Sequence, residues 1–194
     1  MLARKTPYPT DMTRDEFLAW VGDGGGGKVQ LIEGRVVAMA PASTTHGTIQ
    51  AVLSALLFNH LRSSGSPCRV VTEPGIDVRI RNDRNYRVPD LAVTCSPDLR
   101  GQTELPEPIL LVEILSPSNA PETWSNVWAY ATIPSVKQIL VVHSSRVEAH
   151  LLTRQADGAW PHSGDTISAD GAVDLAAIGL NFALREAYFG TFLA

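Results

Sequence analysis

Two acids stand in segments that otherwise read as core strands. Asp90 lies in "RVPDLAVTCS" and Glu113 in "ILLVEILSPS", and each is the one carboxylate within its apolar run. Side chains alternate across a strand. Leu91 and Val93 therefore share one face, with Asp90 and Ala92 on the other; Leu110, Val112 and Ile114 oppose Leu111, Glu113 and Leu115. If the two strands are neighbours, both carboxylates point to one side. Close, partly desolvated carboxylates repel, and one of them would be forced to keep a proton. A divalent cation removes that repulsion. Mg²⁺ (or Mn²⁺) suits such a pair, because it takes oxygen ligands and keeps several of its waters. The plain alternative is that Asp90 caps the turn after Pro89 and Glu113 pairs with an arginine. A third acid, Glu33, at a Glu33-Gly34 turn favours the metal reading.

The elements that must carry these residues are legible in outline. "TRDEFLAWV" opens with a Thr13/Glu16 capping box and predicts a short helix. Gly22 to Gly27 breaks the pattern and reads as a linker rather than a phosphate-binding loop, since no strand precedes it and Val29 follows Lys28. "KVQLIEGRVVAMAP" predicts a hairpin. Ile49, Val52, Leu53, Leu56, Leu57 and Leu61 recur at helical spacing, with Ser43 to Thr45 able to cap the start and Gly65 after the end. "CRVVTEP", "GIDVRI", "YRVPDLAVT" and "ILLVEIL" predict strands, and "ETWSNVWAYATI" a helix stopped by Pro134. "KQILVVH" and "RVEAHLL" predict a second hairpin, and "NFALREAYFGTFLA" a terminal helix. The sum is an α/β (α+β) chain, a mixed sheet with helices on its faces.

Composition narrows the function. The 194 residues fit one domain, with 1–27 as helix and linker and 28–194 as core; 44% are hydrophobic and 19% charged. A net charge of -4 argues against sequence-independent coating of DNA. Locally, Arg79, Arg81, Arg84 and Arg87 flank the "RNDRN" turn just before Asp90, where they could contact phosphates or form a solvated, partly paired hairpin. Cys68 and Cys95 have no metal-ligand spacing and are expected as free thiols, with one disulfide left open. There is no signal-peptide pattern and no apolar run long enough to span a bilayer, so a cytoplasmic protein with no membrane contact is expected. No GxSxG elbow supports a serine hydrolase. His60, His143, His150 and His162 show no convergent spacing and are assigned to surface or packing.

The ordered series "LIEGRVVAMAP", "HGTI", "EPGIDV", "VPDLAV", "LLVEILSPS" and "AYATIPSVKQILVV" resembles the Uma-two family of restriction endonucleases. Within it, Pro89-Asp90 and the acid of "VEIL" resemble the PD-(D/E)XK nuclease signature. The resemblance implies a restriction endonuclease-like core, with a mixed central sheet, flanking helices and an N-terminal helix and hairpin. It further implies metal-dependent DNA hydrolysis with Asp90 and Glu113 as Mg ligands, Glu33 as an added acid at the edge of the site, and His46 near it. Double-stranded DNA is the implied substrate, and a homodimer follows from the two strands to be cut. One member of the signature is missing: the expected lysine position holds Leu115, and the family's alternative place on the next helix, four residues before Tyr130, holds Asn126. Lys28 and Lys137 read as solvated strand-end lysines. The chain is therefore expected to be either an endonuclease or a catalytically degenerate nuclease fold that binds nucleic acid or protein.

Overall fold

The computed structural model describes residues 8–22 and 28–194, so most of the expected glycine linker lies outside the described residues. A six-stranded mixed sheet forms the centre, with strands ordered β3 (Arg69–Thr72), β4 (Leu91–Thr94), β5 (Pro108–Leu115), β6 (Gln138–His143), β7 (Glu148–Thr153) and β8 (Asp165–Ser168). Only β5 and β6 run parallel. Their crossover carries α3 (Ala120–Tyr130), as a parallel pair requires. Two small hairpins, β1 (Val29–Ile32) with β2 (Arg35–Ala38) and β9 (Ala172–Leu175) with β10 (Leu180–Ala183), attach at the periphery.

Each sheet face has its own core. On one side α2 (Thr44–Ser63) lays Ile49, Leu53, Leu57 and Leu61 on Leu91, Val93, Leu110, Val112 and Ile114. On the other, α3 packs Val127, Ala129 and Tyr130 over Ala92, Leu111, Leu115, Ile139, Val141 and Leu152. The alternation expected for "LAV" and "LLVEIL" is therefore observed, and both faces are covered. Ser43 caps α2 by accepting from the His46 N–H at 3.1 Å, and Gly65 (φ 64°) ends it. The Thr13/Glu16 capping box forms at the head of α1 (Arg14–Gly22). At the first hairpin, Glu33 (φ 50°) and Gly34 (φ 82°) are both left-handed, the signature of a two-residue type I′ turn.

Four expectations need correction. "GIDVRI" and the start of "YRVPDLAVT" contribute only isolated bridges, Ile76 to Arg87 and Leu31 to Tyr86, because Pro74 and Pro89 remove ladder donors. The terminal helix is instead β10 followed by a 3-10 turn at Leu184–Tyr188: Phe182 opposes Val173 across the hairpin, and that short-range pairing takes the residues a helix would need. The short, polar β8 and the β9 strand were not expected at all. Finally, Cys68 and Cys95 form a disulfide. Arg69 pairs with Thr94, so continuing that register by one step sets the cysteines opposite each other. Among the described residues no helix is long and apolar enough to cross a membrane.

Candidate active site

Asp90 immediately precedes β4. Leu91 pairs with Val112, and extending that antiparallel register by one step brings Asp90 opposite Glu113. Both are interior residues, at 8% and 6% exposure, and both lie on the α3 side of the sheet. Pro89 cannot continue the ladder. Asp90 completes it with its side chain, whose Oδ2 accepts the Ile114 N–H at 2.6 Å. Its Oδ1 lies 2.9 Å from His46 Nε2, and its carbonyl accepts from Gln50 Nε2 at 3.0 Å. The first turn of α2 thus reaches over the sheet end to hold Asp90.

Glu113 is held from α3. Its Oε1 accepts the Tyr130 hydroxyl at 2.8 Å and, at a long 3.4 Å, the Asn126 amide. Those two residues are four apart and share a helix face. Burial and then the Asp90 charge hold the Glu113 carboxyl well above the usual carboxylate range, while the bonds from Tyr130 and Asn126 oppose the rise. Burial, followed by the Glu113 charge and bond, also drives the Tyr130 phenol well up. No arginine or lysine pairs with either acid among the described residues.

A buried arginine, Arg87, joins the network through Asn126. It is 3% exposed and donates from Nη1 to Asn126 Oδ1 at 2.7 Å and from Nη2 to Asn85 Oδ1 at 3.1 Å, leaving Nε without a partner. Burial lowers its pKa; Tyr130, Glu122, Glu33 and Glu113 pull the other way, and a guanidinium keeps its proton. The β1–β2 hairpin supplies the rim. Leu31 bridges Tyr86, Asn85 Oδ1 also accepts the Glu33 N–H at 3.1 Å, and Gln30 bonds Glu122 of α3.

Most of the sequence candidates therefore converge. Asp90, Glu113, His46 and Asn126 meet within one network, and Glu33 reaches it through its backbone while its carboxylate turns out to Arg81 at 3.5 Å. The four arginines do not form one patch. Arg79 and Arg81 are exposed, Arg84 pairs with Asp11, and Arg87 is interior, the reverse of a surface phosphate contact. Of the lysines, Lys28 pairs with Glu73 and Lys137 lies at the far end of β6 from the site. Leu115 faces the α3 core with Glu113, as expected. Tyr130, Gln50 and Asn85 were missed. Tyr130 alone had a signal, its four-residue step from Asn126.

The donor set suits a hard divalent ion: two buried carboxylates that no arginine or lysine pairs with among the described residues, one of them held well above the usual carboxylate range by burial and by its neighbour's charge.

Residues 14–179 match the Uma2 family, described as "Putative restriction endonuclease". The chain belongs to this family. The uncharacterized protein slr1290 of Synechocystis sp. is 33% identical over 186 residues, covering 95% of this chain and 94% of its own. The fold matches the crystal structure of a "putative nuclease belonging to DUF820" from Anabaena variabilis at a TM-score of 0.70 and 16% identity, covering 91% of this chain and 97% of that one. Family and fold together support a nuclease of the Uma2 type, built on a restriction endonuclease-like architecture.

Proposed function

We propose that the chain is a metal-dependent endonuclease acting on double-stranded DNA, with Asp90 and Glu113 holding Mg²⁺ or Mn²⁺. One observation carries the reading: two buried, opposed carboxylates that no arginine or lysine pairs with among the described residues, one of them pushed well up in pKa. A divalent ion held there supplies Lewis acidity toward a phosphoryl oxygen and toward water.

The chain's own groups do the rest. His46 fixes Asp90 Oδ1, and the Ile114 N–H fixes Oδ2, so this carboxylate is aimed before anything binds. Tyr130 and Asn126 orient Glu113. Arg87 takes the electrostatic part of the missing lysine: Asn126 holds its buried guanidinium beside Glu113, so its charge acts on the site from the interior rather than by touching a phosphate. Glu33 stands at the rim on the type I′ turn, and the exposed Arg79 and Arg81 suit contacts to the DNA backbone. A two-fold dimer would bring two such sites to the two strands of a duplex.

Supercoiled plasmid incubated with Mg²⁺ or Mn²⁺ tests this directly. Cleavage is expected from the wild type, none from Asp90→Ala, and a loss of about 10²–10³-fold from Arg87→Gln, the scale for removing one preorganised electrostatic group. The absent lysine favours a second reading, a binding module without catalysis. DNA binding with neither cleavage nor Mg²⁺/Mn²⁺ uptake would establish that reading and end the first.

A further inference from the structure

The turn joining β6 to β7 gathers three ligating side chains that the proposed nuclease chemistry does not use. His143 closes β6, while Glu148 and His150 open β7. The expectation that His143 and His150 do not converge and belong to surface or packing is thereby corrected, because the turn brings together residues seven apart. The Nε2 atoms of His143 and His150 are 3.2 Å apart, and Glu148 Oε1 lies 3.3 Å from the first and 3.5 Å from the second. A tetrahedral ion with ligand bonds of about 2.0–2.1 Å holds its ligand atoms about 3.3 Å from one another. These three atoms therefore outline one face of such a tetrahedron.

Two further features prepare the site. His150 Nδ1 lies 3.2 Å from Thr166 Oγ1 on β8, an outer partner that can accept a hydrogen bond from Nδ1–H and leave the Nε2 lone pair facing inward. The Tyr188 hydroxyl sits 2.8, 2.9 and 3.0 Å from the carbonyl oxygens of His143, Arg146 and Glu148, so the backbone of the turn is pinned. The triangle already holds positive charge. Arg146 Nη2 is 2.6 Å from Glu148 Oε1 and 3.1 Å from His143 Nε2. Its half-exposed side chain can swing away.

We propose that His143, Glu148 and His150 bind a borderline-soft divalent transition-metal ion, Zn²⁺ foremost, with Arg146 as the displaceable cation and a fourth position open to water. Two imidazoles and one carboxylate disfavour Mg²⁺, which seeks oxygen, so this site is chemically distinct from the Asp90/Glu113 pair.

The test is calorimetric titration of ZnCl₂ into the full chain after chelator treatment, without nucleic acid. One tight equivalent is expected. Asp90→Ala should keep it, and His150→Gln should weaken it by at least about 100-fold, the upper end for losing even an outer partner. Co²⁺ should give the visible bands of tetrahedral coordination, lost in His150→Gln. Arg146→Ala should tighten binding, a direction that misfolding cannot mimic. Absence of a saturable equivalent, or Zn²⁺ binding that survives His150→Gln but is lost in Asp90→Ala, overturns the proposal.

Discussion

At the scale of single residues, Glu113 is the group whose charge is least at home. An unfolded glutamate titrates near 4.3, whereas burial and Asp90 hold the folded carboxyl well above that. Between those two values the native state binds more protons than the unfolded state, so stability falls as pH rises through the window. Glu113→Gln removes that slope. Its melting temperature should match the wild type near pH 4 and exceed it increasingly as pH rises above that, at roughly 2–4 °C per kcal/mol for a chain of this size. Parallel pH profiles for the two proteins would show that Glu113 carries no such penalty. The acids were legible because a carboxylate in an apolar strand is conspicuous against its neighbours. Arg87 was misread, since at sequence level it belongs to an arginine-rich turn, and only the Asn85 and Asn126 side chains reveal it as interior. The His143/His150 pair was missed for a related reason: convergence across a turn depends on strand register, which spacing alone does not fix.

At the scale of elements, α2 does two separable jobs. Its apolar stripe anchors one sheet face, and its first turn delivers His46 to Asp90. Leu53→Ala should cost about 2–5 kcal/mol through a core cavity while leaving cleavage per folded molecule near wild type. Ser43→Ala should cost only about 1 kcal/mol, yet lower cleavage more, because the lost cap frees the backbone N–H of His46 itself. Urea unfolding paired with plasmid cleavage checks the contrast, and equal activity losses at equal folded fraction would refute it. The long periodic helix and the two-residue turn were readable because local geometry dictates them. The terminal helix was not, because its residues satisfy a hairpin pairing between Phe182 and Val173 that no local propensity announces.

At the scale of the whole molecule, the acidic balance of -4 sets the terms on which a polyanion could be met. A uniformly negative protein would be repelled by DNA, so productive approach depends on where positive charge is left unneutralised. Arg84 is tied to Asp11 and Arg87 is interior, which leaves Arg79 and Arg81 as the exposed cations of the segment leading into Asp90. Arg81 is held only by a solvent-exposed contact to Glu33 at 3.5 Å that a phosphate can displace. Each phosphate they neutralise releases condensed counterions, contributing about -0.9 to the slope of log K against log salt concentration. The double variant Arg79→Gln/Arg81→Gln should therefore flatten that slope by about 2 and weaken binding alike for unrelated duplex sequences, since backbone contacts carry no sequence information. Fluorescence anisotropy with labelled duplexes across a salt series, using Asp90→Ala to prevent cleavage, measures it. A slope unchanged by the double variant would move the DNA-facing surface elsewhere on the molecule.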